Sequence, residues 1–496
     1  MKRFYYIFIL IMISGSLSAQ SIDDALRFSK HNYSGTARSL SMGGAFGALG
    51  GDFSSLSINP AGIAVYRSSE FTFTPSLELV KSSNSGETND KYSFTIGNIG
   101  YVASMVPRLA PEKGVQNFNF AIGYNRVANF NREGFVMTME SPSSRLDYWS
   151  QKAQGRNPDL DPGDPNGLYE FEERLAYDVY LLSPDESLRY FTPFYENDVM
   201  DQMQYIDEKG YIGEYIIAGG FNVSHKFYLG ASIGIQDVYY KSNTTYIETI
   251  YGLDGNIIPN ESALEEFTFR EFLKTSGAGV NFKIGAILRP VKNLRLGIAI
   301  HTPTYYNLDE RYESFMSSQF TPDMNNQLEF PEDGNAYHDK YSEFVARSNF
   351  DLETPFRAIL SGAYLLGKRA IISVDYEMID YSNNEFDDND YRDLNQRISE
   401  SYSSTHNLRI GGELRVNPNF SLRGGYAKIG DPYKGSIDES YEAYSGGLGF
   451  KQNNFFFDLG YQFREYDEDY VFYPESDIVT LNNKNHQVRM TFGFRF

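Results

Sequence analysis

The sequence predicts an all-β protein: a transmembrane antiparallel β-barrel of about 14 strands with an N-terminal segment held as a hatch in its lumen. Three observations carry this. From Ser69 onward, apolar and polar residues alternate with period two through about fourteen segments. The links between segments alternate between very short and long. The chain has 39 Tyr and 38 Phe but 1 Trp and no Cys, and beyond its N-terminal leader it has no apolar run of helix-spanning length.

Residues 1–19 read as a secretory signal peptide. Lys2 and Arg3 form the charged start, Phe4 to Ile13 the apolar run, and Ser14 to Ala19 the small-residue cleavage zone. The absence of cysteine excludes a lipid-modified cysteine, disulfides and thiolate chemistry. An exported, Tyr- and Phe-rich, strand-rich chain fits the bacterial outer membrane, where aromatic girdles mark both interfaces. The formal net charge is -21, and the leader itself is basic. That argues against nucleic acid or anionic surfaces as partners. Solvated acidic loops explain it, with divalent cations shared with surface lipopolysaccharide as an addition.

Residues 20–67 precede the first strand and read as the hatch. Gln20 to Ser34 predicts one short helix with Ile22, Ala25 and Leu26 on one side. Gly35 to Arg67 holds seven glycines in thirty-three residues, with neither a long apolar helix nor an alternating strand. Each glycine costs backbone entropy on folding, so such a stretch folds when surrounding structure holds it. The Asn59-Pro60-Ala61-Gly62 turn closes it, although ordinary loops use the same pairs. The glycine run lacks the Gly-Lys-Ser/Thr ending of a phosphate cradle.

Residues 68–496 form the barrel. Strands are expected near 69–82, 92–107, 116–130, 213–224, 227–247, 267–288, 294–312, 341–366, 370–383, 404–416, 420–430, 441–451, 455–471 and 484–496. Short links such as Ser224–Lys226 and Asn453–Asn454 alternate with long ones such as 248–266 and 384–403, which places both chain ends in the periplasm. In the last strand Val488, Met490, Phe492, Phe494 and Phe496 face lipid, opposite Arg489, Thr491 and Arg495. Charges on the lipid face cost roughly 2–4 kcal/mol each near the midplane, so Arg409, Arg415, Arg423, Arg464 and Arg489 are assigned to the interior. They are the candidates for gripping an anionic ligand head group, against the alternative that they pair with Glu413, Asp458 and similar neighbours. Residues 131–212 are expected to be one large extracellular loop. Within it Leu168, Phe171, Leu175, Val179 and Leu182 predict an amphipathic helix over the outer mouth. Asp159, Asp161 and Asp164 fail the EF-hand spacing, and no metal or other cofactor is called for.

These pieces resemble the FadL-type outer-membrane transporters of long-chain fatty acids and other hydrophobic compounds. The matching residues are Ser34-Gly35, Met42-Gly43-Gly44-Ala45-Phe46, Asp52, Asn59-Pro60-Ala61-Gly62, Arg295-Leu296-Gly297-Ile298, Thr302-Pro303, Thr354-Pro355 and Leu422-Arg423-Gly424-Gly425-Tyr426. The resemblance implies a fourteen-stranded barrel closed by the hatch, to which Asn59, Pro60 and Ala61 belong. It also implies a kinked third strand that leaves a lateral gap, through which ligand passes from the lumen into the membrane without an energy source. Gly123 is the candidate for the kink, because a strand-interior glycine often marks a bend. Phe496 resembles the terminal signal read by the barrel assembly machinery. The leader before Gly35 and the loop at 131–212 are longer than the pattern, and both touch the ligand path.

Two rival readings stand beside transport. Haem or porphyrin uptake would engage His301 or His338, and a structural or adhesive barrel would keep its lumen shut. The six His sit in no Ser-His-Asp or metal spacing, so an enzyme is not expected.

Overall fold

The computed structural model describes residues 20–33, 35–107, 113–161, 163–193, 198–251, 264–320, 337–341, 345–435, 438–474 and 476–496. The predicted leader lies outside them.

Fourteen antiparallel strands close into one barrel. They are β1 (Glu70–Asn84), β2 (Glu87–Met105), β3 (Val115–Asn129, continued by Arg132–Ser141), β4 (Val199–Val223), β5 (Phe227–Tyr251), β6 (Leu264–Val291) and β7 (Leu294–His301, continued by Tyr305–Phe320). The circuit goes on through β8 (Ala346–Glu353, continued by Arg357–Leu366), β9 (Ala370–Asp380), β10 (Ser404–Arg415), β11 (Phe420–Ile429), β12 (Tyr441–Gln452), β13 (Phe455–Val471) and β14 (Ile478–Arg495). β14 pairs with β1, and Phe496 and Ser69 exchange backbone hydrogen bonds of 3.1 Å that finish the ring.

Period two sorts the faces as expected. Phe492, Phe494 and Phe496 are exposed toward lipid, whereas Arg489 and Thr491 are buried inside. Proline falls where the ladder tolerates it. Pro75 sits at a register shift of β1 against β2 that leaves Gly97 unpaired. Pro303 and Pro355 break β7 and β8 side by side, and the freed groups pair there: Thr354 N–H donates to Thr304 O at 3.1 Å, and Thr304 N–H to Thr354 Oγ1 at 2.9 Å.

The wall is lopsided. β4, β5 and β6 run for 25, 25 and 28 residues, against 10 to 12 for β9 to β12. An apolar belt about 25 Å tall needs only the shorter length, so the tall strands stand well out from the membrane. The stretch expected as one loop at 131–212 therefore contains the end of β3 and half of β4. Between them, helix α3 (Arg145–Ala153) starts on a Ser144/Asp147 capping box. Leu168, Phe171, Leu175, Val179 and Leu182 are all buried, but helix α4 spans only Glu173–Asp178. The stripe packs as a folded loop, with Trp149, Tyr246 and Phe267, across the outer mouth.

The hatch segment has more local structure than its glycines suggest. Helices α1 (Ile22–Ser29) and α2 (Ala37–Ser41) and 3₁₀ turns at Phe53–Ser57 and Pro60–Val65 begin at capping residues Ser21, Thr36, Asp52 and Asn59. Nearly all of it is buried inside the barrel. α1 lies highest, packed on β3, β5, β7 and helix α5 (Arg392–Ser401).

Candidate functional site

Short turns leave many backbone groups of residues 35–66 unpaired among themselves, and wall side chains complete them. Arg489 Nη1 donates to Gly35 O at 2.7 Å, and Thr491 Oγ1 accepts from Ala37 N at 2.8 Å. Asp375 accepts from Gly47 N at 2.8 Å. Asn119 donates to Ile63 O at 2.6 Å and Asn117 to Tyr66 O at 2.8 Å. His301 donates its Nε2 proton to Ile58 O at 2.9 Å.

Asn59 is the centre of this fastening. Its Oδ1 caps Ala61 N at 3.0 Å, and its Nδ2 donates to Gly47 O at 2.7 Å and across to Ala286 O of β6 at 3.3 Å. Pro60 follows at the first position of the turn, where its missing N–H is harmless. The turn rests directly on the wall: a Cβ at Gly285 would fall 1.9 Å from Asn59 Oδ1, and one at Gly230 would fall 2.3 Å from Pro60 O.

Acidic hubs tie the interior together. Glu377 of β9 accepts from Arg409 at 2.7 Å, Asn407 at 3.0 Å and Tyr33 of the hatch at 2.9 Å, with Arg357 at 3.4 Å. Glu413 accepts from Arg38 and Arg423 at 2.8 Å each, and Arg423 reaches Asp458 at 2.6 Å. Arg464 lies near Glu78 at 3.6 Å and beside the rings of Tyr441 and Tyr466. Of the five expected interior arginines, Arg409, Arg423, Arg464 and Arg489 are inside the barrel. Arg415 is corrected: it ends β10 and is exposed at the periplasmic rim, because the wall stops there. The luminal cations Lys283 and Arg357 were not singled out from sequence. Each is buried, and Lys283 pairs with Glu214.

The wall is not zipped all the way up between β2 and β3. Their ladder runs from Met105/Phe118 to Asn98/Asn125 and stops. Above it β2 pairs only with β1, while the rest of β3 pairs only with β4. The cause is local. Gly97 bulges out of β2 next to Asn98, and β3 shifts register against β4 between Arg126 and Ala128. Two bulges on facing strands increase twist and part the ladder. Among the described residues no backbone–backbone ladder crosses the seam, and each bridge there involves a side chain. Lys91 pairs with Glu133 and, at 3.0 Å, with Asp207; Asn129 Nδ2 lies 3.4 Å from Ser93 Oγ; Asn84 accepts from Met137 N at 3.1 Å. On its inner side Phe28 of α1 meets Phe130 edge-on, with ring centroids 6.3 Å apart.

Gly123 lies below the seam in continuous pairing with Gly100 and Ile216. The structure places the register break at Val127, four residues above it. A Cβ at Gly123 would fall 2.3 Å from Ile99 O and 2.4 Å from Phe53 Cζ, so its smallness makes room for the hatch.

Residues 215–434 match the model of the outer membrane protein transport family, OMPP1/FadL/TodX. Over that stretch the chain is similar to FadL/TodX-type outer-membrane transport proteins. Solved structures of the same fold cover nearly all of it. A Pseudomonas aeruginosa FadL homologue is similar with a TM-score of 0.53 at 13% identity, covering 93% of this chain and 98% of the other. The Ralstonia pickettii toluene transporter TbuX gives 0.51 at 13% identity, covering 94% and 99%. No curated protein matches the sequence. The FadL/TodX family comprises transport channels for hydrophobic compounds rather than enzymes.

The histidines of the chain do not converge. His301 is buried under Ile58, and His406 and His486 meet Tyr376 and Tyr461 on the outer face at 3.0 and 2.9 Å. The side chain of His338 lies outside the described residues. Among the described residues no three His, Asp or Glu groups are placed to hold a metal ion.

Proposed function

We propose that this chain carries amphiphiles of the long-chain fatty acid type from the cell surface into the outer membrane, with release sideways through the seam between β2 and β3. The observation that supports this best is the seam itself. A strand-long stretch of wall lacks a backbone–backbone ladder, next to the luminal layer that α1 fills. A long alkyl chain leaving sideways stays in hydrocarbon, whereas each CH₂ re-exposed to water would cost about 0.8 kcal/mol.

An anionic head group suits the lumen. Arg409 Nη1 and His31 Nε2 are buried without hydrogen-bond partners, and both side chains flank the ring of Tyr33. A carboxylate entering as α1 shifts would find donors there at the level of Glu377. The hatch, anchored through Asn59, Pro60 and Ala61, blocks the straight route to the periplasm. Gly123 and Gly100 let Phe53 seat beneath the seam. Phe496, exposed at the end of β14, is the proposed contact for the assembly machinery.

The test is uptake of labelled long-chain fatty acid and labelled toluene by cells carrying the folded, surface-exposed protein, against an empty vector. Raised fatty acid uptake supports the reading. Toluene uptake alone removes the head-group part, and no uptake of either favours a closed structural barrel.

A further inference from the structure

The outward face of β4 to β8 carries a row of cations that neither the hatch nor the seam uses. Lys209 stands directly opposite Lys241 in the ladder, Lys241 opposite Lys274, Lys274 opposite Arg311, and Arg311 opposite Arg347. Five adjacent strands thus present five positive charges side by side, in a chain of net charge -21. Cross-strand neighbours lie about 4.5–5.5 Å apart, and like charges so placed destabilise a sheet. The row is therefore not there for the barrel's own stability.

Its charges are poorly answered from within. Lys209 pairs with Asp207 at 2.9 Å, and Arg311 with Glu313. Lys241, Lys274 and Arg347 have no carboxylate in ion-pair reach among the described residues. Lys241 instead lies over Phe272 and Lys274 over Tyr239, which holds them without neutralising them. The flanking outward acids make no ion pair with Lys241, Lys274 or Arg347: Asp237 accepts from Tyr211 at 2.9 Å, Asp309 from Asn349 at 3.0 Å and Asp351 from Asn307 at 2.7 Å. On the other side of the barrel the comparable outward row reads Asp90, Lys81, Lys484, Glu465, Glu442 and Lys428, with signs mixed and two ion pairs.

The level of the row is informative. Below Lys241 and Lys274 the outward residues become Ile235, Ile233, Val280, Phe282 and Ile284, all exposed apolar groups of the lipid belt. The row stands just above that belt on the extracellular side, where the head groups of the outer leaflet lie. We propose that Lys209, Lys241, Lys274, Arg311 and Arg347 form a docking stripe for the phosphates of outer-leaflet lipopolysaccharide. Cations in register meet a strip of phosphates without either partner needing to fold around the other, and the tall strands above would stand beside the sugar core.

The experiment uses the full-length protein in detergent, titrated with purified lipopolysaccharide and with the same material stripped of phosphate. The triple variant Lys241→Gln/Lys274→Gln/Arg347→Gln is expected to bind lipopolysaccharide roughly a hundredfold more weakly, from the usual contribution of each basic residue at an anionic membrane surface. The charge-matched control Lys81→Gln/Lys428→Gln/Lys484→Gln should stay within about threefold of the parent, and Lys241→Arg/Lys274→Arg/Arg347→Lys should bind like it. Unheated gel mobility confirms that each barrel is folded. Equal losses in both triples, no loss in the first, or equal binding of the phosphate-stripped lipid overturns the proposal. So does inorganic phosphate alone binding the stripe as tightly as the lipid.

Discussion

Replacing Asn59 by alanine tests how the hatch is held. The side chain is 1% exposed and makes three hydrogen bonds, one of them to the wall. Asn59→Ala removes all three and leaves Gly47 O and Ala61 N buried without those partners, at about 1–3 kcal/mol for each orphaned group. Some of this is recovered as the turn relaxes toward Gly230 and Gly285, so about 3 kcal/mol is expected. The loss falls on hatch docking, because the fourteen-strand ladder contains none of these bonds. At about 1.4 kcal/mol per tenfold, the undocked hatch becomes roughly a hundredfold more populated. Hydrogen exchange on the purified protein reads this directly. Amides of residues 35–66 should lose protection by that factor, while those of β5 and β6 hardly change. Unchanged protection of the hatch, or collapse of the barrel with it, would refute the reasoning.

Gly100→Ala places a Cβ 2.3 Å from Phe53, so it should lower the heat-modification midpoint. Adding Phe53→Ala should make the pair markedly less destabilised than the sum of the single changes. Glu377→Gln leaves the buried guanidiniums of Arg409 and Arg357 without their carboxylate, at about 3–5 kcal/mol. Thermal unfolding of the variant should fall accordingly, and an unchanged midpoint would deny Glu377 its central place. In the outer cap, burial pulls the Lys152 ammonium down, but Glu172 and Glu173 pull it up further and hold it above the ordinary lysine range. Its folded pKa is therefore raised above the unfolded one. The stabilisation is complete below the ordinary value of 10.5 and is lost as pH rises beyond it. The single Trp149 sits in this cap, so its emission should shift to the red on alkaline titration, and Lys152→Met should abolish that step.

What could be read in the sequence was what depends on neighbours along the chain. Period two located the strands and sorted Phe492 from Arg489 without any knowledge of partners. The glycine-rich stretch was legible as a segment needing support. Its short helices begin at Ser21, Thr36, Asp52 and Asn59, capping signals that a reading of the stretch by its glycines passes over. The capping box at Ser144 and Asp147 is likewise passed over when 131–212 is read as one loop. The buried stripe from Leu168 to Leu182 misled, because apolar residues at helical spacing also serve a folded loop packed between strand ends. Features set by register between distant strands were not legible. The seam depends on Gly97 being unpaired against β1 and Val127 against β4. Glu377 gathers partners from three separate segments. The cation row joins residues spaced more than thirty positions apart, and a net charge of -21 hides it.

The central claim is that ligand passes through the seam. The chain has no cysteine, so Ser93→Cys and Asn129→Cys add a unique pair across the gap, where the native side chains lie 3.4 Å apart. Uptake of labelled long-chain fatty acid is measured in cells carrying this variant, oxidised and then reduced. Release through the seam predicts that oxidation abolishes uptake and that reduction restores it, with the amount of folded surface protein unchanged. Full uptake with the cross-link closed would contradict it and send the ligand by another route.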